Sequence, residues 1–566
     1  MNSIEMSLYK KWLEHAIEDE DVAAELKEIK NSPDSIQDRF YCELEFGTGG
    51  LRGKLGAGSN RMNIYTIRKA TLGLASYLRR KFDMPSVAIS YDSRRKSRLF
   101  ADETAKVFQN CGVSVKIFDR LMPTPMLSYA VRRLKCSAGV MVTASHNPAE
   151  YNGYKVYGAD GCQITDEAAA EITQYIEDVD VFEYEPDDAP PESNVSKACE
   201  MISGSVINDY YSAVLAQRVS RSKQGAASKL SIVYSPLHGA GLEPVVSVLK
   251  KAGYESVHVV PSQREPDGGF PTCPYPNPEM PDALSDGMHY CNEIGGDLLL
   301  ATDPDCDRVG VVVSNRILTG NEIGVLLLDY ICKARTDIGS MPDKPVAVKT
   351  IVTTDMAEKV AAEHGVKLEN VLTGFKYIGE FIGELEAIGN ENRYIFGFEE
   401  SCGYLSGTYA RDKDAVNAVL LICDMAAYYT DRGLSLIQRL EALYERHGYY
   451  ECALDSFSFE GALGAQEMQN FMSLLRNDAP NSTFGLPVKK CIDYLDAAQT
   501  SGLPQSDVLQ FTLADDTLLT IRPSGTEPKM KVYYQVTGDS KEQAQSTLKV
   551  LRDTVHNVVS RKNQST

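Results

Sequence analysis

Short apolar runs that stop abruptly at reactive residues constrain this chain more than any other feature. Ala138-Gly139-Val140-Met141-Val142 runs into Thr143-Ala144-Ser145-His146-Asn147-Pro148. A run so short, carrying β-branched residues and bounded by turn formers, reads as a buried parallel strand. The loop beyond a strand's carboxyl end is where open α/β sheets hold their ligands. The pattern recurs: Leu298–Ala301 delivers Thr302-Asp303-Pro304-Asp305-Cys306-Asp307-Arg308, and Tyr394–Phe396 delivers Gly397-Phe398-Glu399-Glu400-Ser401-Cys402-Gly403. Strands at Val87–Ser90, Val113–Phe118, Leu230–Tyr234 and Val346–Val352 alternate with helical patterns such as Ile67, Leu74 and Leu78. Such alternation predicts βαβ units around parallel strands. Three reactive loops in successive units predict related α/β units that converge on one cleft.

A chain of 566 residues exceeds one core, at about 150 residues per domain. The first unit, 1–205, ends in the acidic, proline-bearing stretch Asp178–Ser193, read as an exposed excursion without a catalytic role. The second, 206–319, holds the turn Ser235–Gly241, where His238 reads as structural, and the Pro/Gly-dense loop Arg264–Glu279. The third, 320–445, holds the loop Thr373-Gly374-Phe375-Lys376. The helix Ser435–Tyr444 then runs into His447-Gly448, a hinge signal. Beyond it, strands at Tyr450–Phe459, Leu509–Leu513, Leu518–Arg522 and Lys531–Tyr534 and a last helix, Lys541–Val559, predict a smaller α+β domain at 446–566.

Charge narrows the partners. The net charge of −20 and pI near 5.0 argue against nucleic acid or an anionic membrane, which demand a basic footprint. Small anions remain open to a local basic cluster within a cleft. The N-terminus, Met1–Lys30, is amphipathic without an apolar leader core, and Trp12 reads as a packing residue on its helix. No run reaches the ~18 apolar residues of a membrane helix, so the chain is expected in the cytoplasm. Its 13 cysteines show no CxxC spacing and read as reduced thiols.

Ser145 by itself fits either a turn hydroxyl or a nucleophile. Asp303, Asp305 and Asp307 are more specific, because carboxylates so close repel unless a hard cation sits among them. An EF-hand is excluded, since Arg308 and Ser314 stand where its glycine and glutamate would be. Few carboxylates plus a phosphate oxygen suit Mg²⁺ better than Ca²⁺. Arg522-Pro523-Ser524-Gly525-Thr526 combines a guanidinium, two hydroxyls and backbone amides, the makings of a phosphate cradle. Glu399 and Ser401 are suited to vicinal sugar hydroxyls. Arg411-Asp412-Lys413-Asp414 fits either a solvated charge run or a supplier of Lys413 to the site. The glycine loop Glu45–Gly53 exposes amides to an anion. A serine, a metal beside it and a second, separate phosphate site suit an enzyme that moves phosphoryl between two ends of one sugar.

These residues resemble the α-D-phosphohexomutase family of phosphoglucomutases, phosphomannomutases and phosphopentomutases. The family's motifs stand in order as Thr-Ala-Ser-His-Asn-Pro, Asp-Pro-Asp-x-Asp-Arg, Gly-x-Glu-Glu-Ser and Arg-Pro-Ser-Gly-Thr-Glu, spanning nearly the whole chain. Glu45–Arg52 resembles the long phosphoglucomutases of the family. The resemblance implies a heart-shaped, four-domain α/β molecule with three similar mixed-sheet α/β domains and a C-terminal α+β domain. It also implies phosphorylation of Ser145, Mg²⁺ on Ser145, Asp303, Asp305 and Asp307, and sugar hydroxyls held by Glu399 and Ser401 with Thr373 nearby. Arg522, Ser524, Gly525 and Thr526 would hold the non-reacting phosphate. Arg52, Lys155, Arg308 and Lys413 match basic active-site positions, and Lys155 and His146 are candidates for proton transfer. The expected reaction interconverts glucose 1-phosphate and glucose 6-phosphate through a glucose 1,6-bisphosphate intermediate, with mannose or pentose phosphates as alternatives. An aspartyl-phosphate phosphatase with Asp303 as nucleophile, or a non-catalytic sugar-phosphate sensor, would leave Ser145 or the Arg522 loop without a purpose.

Overall fold

A computed structural model describes residues 3–47, 49–184, 199–219, 229–459, 464–477, 484–496, 498–499, 502–523 and 529–562. Ser524, Gly525 and Thr526 of the expected cradle, and most of the acidic excursion, lie outside the described residues.

The first sheet has the order β1-β5-β4-β2-β3-β6, with β1 Leu51–Lys54, β2 Ser86–Tyr91, β3 Ser114–Ile117, β4 Ala138–Val142, β5 Tyr151–Gly158 and β6 Cys199–Met201. Strands β4, β2, β3 and β6 run parallel, β5 returns antiparallel beside β4, and β1 pairs antiparallel with β5. The second sheet is β11-β10-β9-β7-β8: β7 Ile232–Ser235, β8 Val257–Val259, β9 Leu298–Thr302, β10 Val309–Val313 and β11 Arg316–Leu318. Here β9, β7 and β8 are parallel, β10 is antiparallel to β9, and β11 is antiparallel to β10. The third is β13-β12-β14-β15: β12 Val346–Thr350, β13 Lys367–Val371, β14 Tyr394–Glu399 and β15 Gly403–Leu405. Again a parallel set ends in one antiparallel strand.

One rule therefore covers all three units. Each reactive loop joins the last parallel strand to the first antiparallel one: β4 to β5 at Ser145, β9 to β10 at Asp303–Asp307, β14 to β15 at Glu399–Gly403. Each tip carries a non-glycine residue in the left-handed region, Ser145 (φ 50), Cys306 (φ 53) and Cys402 (φ 62). Such residues persist only where the surroundings over-determine them.

The parallel strands are buried on both faces, as in Ala138–Val142 and Leu298–Thr302, which explains their continuous apolar runs. A common core joins helix faces of the three units, from Met126 and Leu127 through Val245 and Leu249 to Leu420 and Leu443. The last unit is a five-stranded antiparallel sheet, β16-β20-β19-β18-β17 (β16 Tyr449–Ser458, β17 Val488–Asp493, β18 Leu509–Leu513, β19 Leu518–Pro523, β20 Lys529–Gly538), with its own core. The four-part α/β architecture is as expected from the sequence.

The structure sharpens some local readings and corrects others. The N-terminus forms three short helices, Ser3–His15, Glu20–Glu28 and Pro33–Phe40, broken where Asp19 caps the second and Pro33 opens the third. Trp12 packs edge-on against Phe40, Tyr65 and Phe182. Phe182 belongs to the supposed excursion, so the start of that stretch is anchored by its aromatic side chain and by the Asp180–Lys11 pair (2.5 Å). Arg411-Asp412-Lys413-Asp414 is buried throughout and is not a solvated run. Phe375 and Lys376 open the helix Phe375–Ala387 and do not extend a loop. Among the described residues no helix is long and apolar enough to cross a membrane.

Candidate active site

The Ser145 and Asp303 loops meet edge to edge. Ser145 is buried, and its Oγ donates to Asp303 Oδ2 at 2.7 Å. His146 Nδ1 lies 3.1 Å from the same Ser145 oxygen. Burial, then the charges of Arg308 and Arg52, push the His146 imidazole well below its usual range, so this ring is neutral at pH 7.

Asp303, Asp305 and Asp307 are buried, with their nearest carboxylate oxygens within 4.8 Å of one another. Burial, then Asp307 and Asp305, push Asp303 well above the usual carboxylate range. Burial would raise Asp307 too, but Lys413, Lys155 and Arg308 outweigh it and hold it low. Among the described residues, Oδ1 of Asp305 and Oδ1 of Asp307 are buried and accept no hydrogen bond. Crowded carboxylates with unused oxygens fit a hard divalent cation, and an ion there would relieve both the repulsion and the unmet acceptors.

Cations from other elements close around this loop. Lys155, on β5, reaches Asp305 Oδ2 at 2.7 Å and Asp307 Oδ2 at 3.5 Å. Burial opposes its charge, yet Asp305 and Asp307 raise its pKa above the ordinary lysine value, so it stands as a fixed ammonium. Lys413 reaches Asp307 Oδ2 at 3.3 Å and Asp412 Oδ1 at 3.0 Å. Arg308 pairs with Glu279 at 2.7 Å, and its backbone N–H donates to Asp303 Oδ1 at 3.0 Å. Arg52, at the exposed rim, donates to Asn147 Oδ1 at 3.2 Å.

Glu399 is the last residue of β14, not of a loop, and it accepts the Gly374 N–H at 3.0 Å. Burial pushes its carboxyl up to about 7; Lys413 pulls it down, and neighbouring Glu400 pushes it up. Thr373 presents a buried hydroxyl without a hydrogen-bond partner among the described residues, and Ser401 is half-buried in the turn beyond Glu399. Arg522, at the end of β19, lies opposite Lys531 of β20. Burial, then Arg522 and Arg308, depress the Lys531 amine. The arginine of β19 and the arginine of the Asp303–Asp307 loop thus both bear electrostatically on this one lysine.

Three similar mixed sheets with equivalent reactive loops invite comparison with known proteins. Residues 43–181, 208–316 and 319–447 match, in order, the family descriptions "Phosphoglucomutase/phosphomannomutase, alpha/beta/alpha domain" I, II and III. A phosphoglucomutase of Staphylococcus haemolyticus is 35% identical over 521 residues, covering 89% of this chain and 92% of the relative. The chain belongs to the phosphoglucomutase/phosphomannomutase family. It is accordingly a phosphohexomutase, an enzyme of the isomerase class. A phosphoglucomutase of Staphylococcus aureus N315 is 36% identical over 511 residues, 87% of this chain and 90% of the relative. Among solved structures, a putative phosphomannomutase from Thermus thermophilus superposes with a TM-score of 0.68 at 21% identity, covering 92% of this chain and 99% of the other. The phosphoglucomutase parafusin of Paramecium, in its open form, gives 0.66 at 17% identity, with 92% and 96% covered. These two share the fold.

Within this family member, the sequence reading passed over several residues that touch the site. Thr124 donates to Asp305 Oδ2 at 2.8 Å, and Tyr157 donates to Asp412 Oδ2 at 2.8 Å, fixing the neighbour of Lys413. Asp92 and Arg94 grip the Ser145 loop. Their signal was present: Asp92-Ser93-Arg94 follows the apolar run Val87–Ser90 as Ser145 follows its own strand. Tyr157, by contrast, reads as an ordinary strand aromatic.

Proposed function

We propose that the chain interconverts α-D-glucose 1-phosphate and glucose 6-phosphate, with Ser145 as the phosphoryl carrier. The observation that carries this is the placement of Ser145 Oγ, 2.7 Å from a carboxylate of the buried Asp303/Asp305/Asp307 cluster, whose Asp305 and Asp307 are held by the ammoniums of Lys155 and Lys413. The phosphoglucomutases that resemble the chain along most of its length support glucose as the sugar.

In the first transfer the 6-hydroxyl attacks the phosphorus of phospho-Ser145. The O6–P bond forms, the Oγ–P bond breaks, the hydroxyl proton passes to a base, and the leaving Oγ takes up a proton. The resulting 1,6-bisphosphate turns end for end. Ser145 Oγ then attacks the phosphorus of the 1-phosphate: the Oγ–P bond forms, the P–O1 bond breaks, the Oγ proton passes to the neutral His146 Nδ1 beside it, and the leaving O1 takes up a proton to become the 1-hydroxyl. Lys155, Lys413 and Arg308 counter the charge on the moving phosphoryl group, and their positions are fixed before reaction by the aspartates. Asp303, Asp305 and Asp307, with an oxygen on Ser145, would hold Mg²⁺, which supplies Lewis-acid neutralisation of the phosphoryl oxygens. Glu399 and Ser401 would grip sugar hydroxyls with Thr373 close by, while Arg522 and Lys531 hold the idle phosphate, joined by Ser524, Gly525 and Thr526.

The test is conversion of glucose 1-phosphate with Mg²⁺ and trace glucose 1,6-bisphosphate by the parent and by Ser145→Ala, with mannose and pentose phosphates in parallel. Intact mass is expected to show one phosphate on the parent and none on the variant. A preference for mannose or pentose would move the substrate within the family; inactivity on all three would refute the mutase reading.

A further inference from the structure

The loop that carries Ser145 is wrapped around one buried guanidinium. Arg94 stands just past β2, with its side chain wholly buried. Its Nη2 donates to the carbonyl of Ser145 at 2.6 Å and to that of Asn147. Its Nη1 donates to the carbonyls of Pro148 (2.8 Å) and Tyr151 (3.1 Å). All four Nη hydrogens are thus spent on the 145–151 backbone, and Nε faces Asp92 Oδ2 at 3.5 Å. Asp92 holds the other side of the loop: it accepts from Thr143 Oγ1 at 2.6 Å, and Thr143 Oγ1 in turn accepts the Ser145 N–H at 2.8 Å. The N–H and C=O of Ser145 are both tied to one Asp–Arg pair. The residue held this way is the one whose φ is +50°.

The pair is also fastened to the second unit. Gly268 bridges to the Arg94 backbone, and the Phe270 ring lies over the guanidinium, 4.9 Å from centroid to Cζ. A Cβ on Gly268 would fall 2.4 Å from the Arg95 nitrogen, so only glycine permits this approach. His238 pins the same segment through Glu265 O and Thr272 Oγ1, each at 3.0 Å.

We propose that Arg94 is a positioning residue for Ser145, holding the left-handed loop so that Oγ faces the metal loop whether or not the serine is phosphorylated. The inference rests on the reading of Ser145 as phosphoryl carrier. A lysine keeps the charge but has three donors on a point-like head and cannot satisfy four carbonyls in a plane, so Arg94→Lys separates geometry from charge.

Three variants are compared with the parent: Arg94→Lys, Arg94→Ala with and without methylguanidinium, and Phe270→Leu, which keeps the core apolar while removing the plate over the guanidinium. The readouts are kcat and KM for glucose 1-phosphate, the thermal transition, and Ser145 phosphate after incubation with glucose 1,6-bisphosphate. Arg94→Lys is expected to lose kcat by on the order of 10- to 100-fold, as a misplaced reacting atom does, with KM within about threefold and phosphate occupancy reduced. Methylguanidinium should restore part of the Arg94→Ala rate, and Phe270→Leu should show a smaller loss of the same kind. Folded Arg94→Lys with kcat within about twofold of the parent would overturn the proposal. So would losses that follow only the unfolded fraction, with no rescue. Inactivity of the parent on glucose, mannose and pentose phosphates alike would instead overturn the carrier reading, and this inference with it.

Discussion

Asp414 offers a direct test of how burial sets charge in this molecule. It caps the helix Ala415–Thr430, accepting the Asn417 N–H at 2.9 Å, and it is completely buried. Tyr210 donates to both of its oxygens (3.0 and 2.9 Å) and Tyr409 to Oδ2 (2.6 Å). Burial pushes its carboxyl from an ordinary 3.8 up to about 6, against the pull of the tyrosine and backbone donors. Between those two pH values the folded chain holds a proton that the unfolded chain has released. Stability from this group is therefore greatest below pH 4, falls as pH rises through the window, and stays low above pH 6. At 1.36 kcal/mol per pH unit the fall is about 3 kcal/mol. Asp414→Asn mimics the protonated form: its oxygen still caps Asn417, and its amide can donate to the Tyr409 oxygen. The variant should lack this slope, so its stability relative to the parent should grow by about 3 kcal/mol between pH 4 and pH 7. In calorimetry, at about 2.1 cal/mol/K per residue over the three joined units, 1 kcal/mol is about 1 °C, so the gap between the two transitions should widen by roughly 3 °C. Other carboxylates titrate in both proteins and cancel. A gap that stays constant with pH would refute the reasoning.

Tyr157→Phe keeps the buried ring but removes the donor to Asp412; a hydrogen bond to a charged group is worth ~1.5–3 kcal/mol, so the thermal transition should drop and kcat should fall through the loosened Lys413. An unchanged transition would show that Asp412 finds another donor. In Gly239→Ala the new Cβ would meet Pro304 Cα at 2.4 Å, so the Asp303–Asp307 loop must shift. The Mg²⁺ concentration for half-maximal activity should rise, and an identical Mg²⁺ titration would count against the triad as the metal site. Trp12→Ala should cost about 3–5 kcal/mol of local packing and speed proteolysis within the first 40 residues, because Phe40, Tyr65 and Phe182 all meet that ring. Gln535→Ala removes both bonds that join the last unit to Asp355 (2.6 and 3.0 Å). More 1,6-bisphosphate should then escape during turnover, seen as a stronger dependence on added bisphosphate.

The fold was legible where the chain is simplest. Apolar runs such as Leu298–Ala301 are continuous because parallel strands are buried on both faces, so strand, loop and ligand side follow from composition alone. The antiparallel return of β5 and β10 was hidden, since Tyr151–Gly158 and Val309–Val313 are as buried as the parallel strands and show no alternation. In the site, the residues legible from sequence are those whose neighbours in the chain share their chemistry, as in Asp303-Pro304-Asp305-Cys306-Asp307. Those that were not legible act across long separations. Thr124 meets Asp305, and Tyr157 meets Asp412; neither has a sequence neighbour that announces it. The charge run at Arg411–Asp414 was ambiguous for the same reason: its partners Ser128, Tyr157, Tyr210 and Glu386 lie far away in the chain.

Those long-range bonds also bear on how a bisphosphate could turn within the cleft. Ser145 to Asp303, Lys155 to Asp305, Lys413 to Asp307 and Tyr157 to Asp412 each cross from one α/β unit to another, and each pairs buried polar or charged groups. Separating such pairs leaves charge uncompensated in the interior, which is costly, so the first three units are expected to move as one body. The last unit is attached differently. It meets the third through Gln535 and Asp355, through Gln510 Nε2 on the Ile351 carbonyl (3.2 Å), and through a small apolar set of Ile351, Leu372, Tyr494 and Val508. These bonds are only part-buried, and only one of them, from Gln535 Nε2 to Asp355 Oδ2, reaches a carboxylate, so they exchange with water more readily than the buried ion pairs. Between the bodies stands Gly448, at φ 93 and ψ 162, a conformation open to glycine and closed to most other residues. If the proposed mechanism holds, loosening of the Arg522–Lys531 edge about this point would free one phosphate of a bisphosphate intermediate while the Asp303–Asp307 loop and Ser145 kept their geometry, the combination that a reorienting intermediate needs.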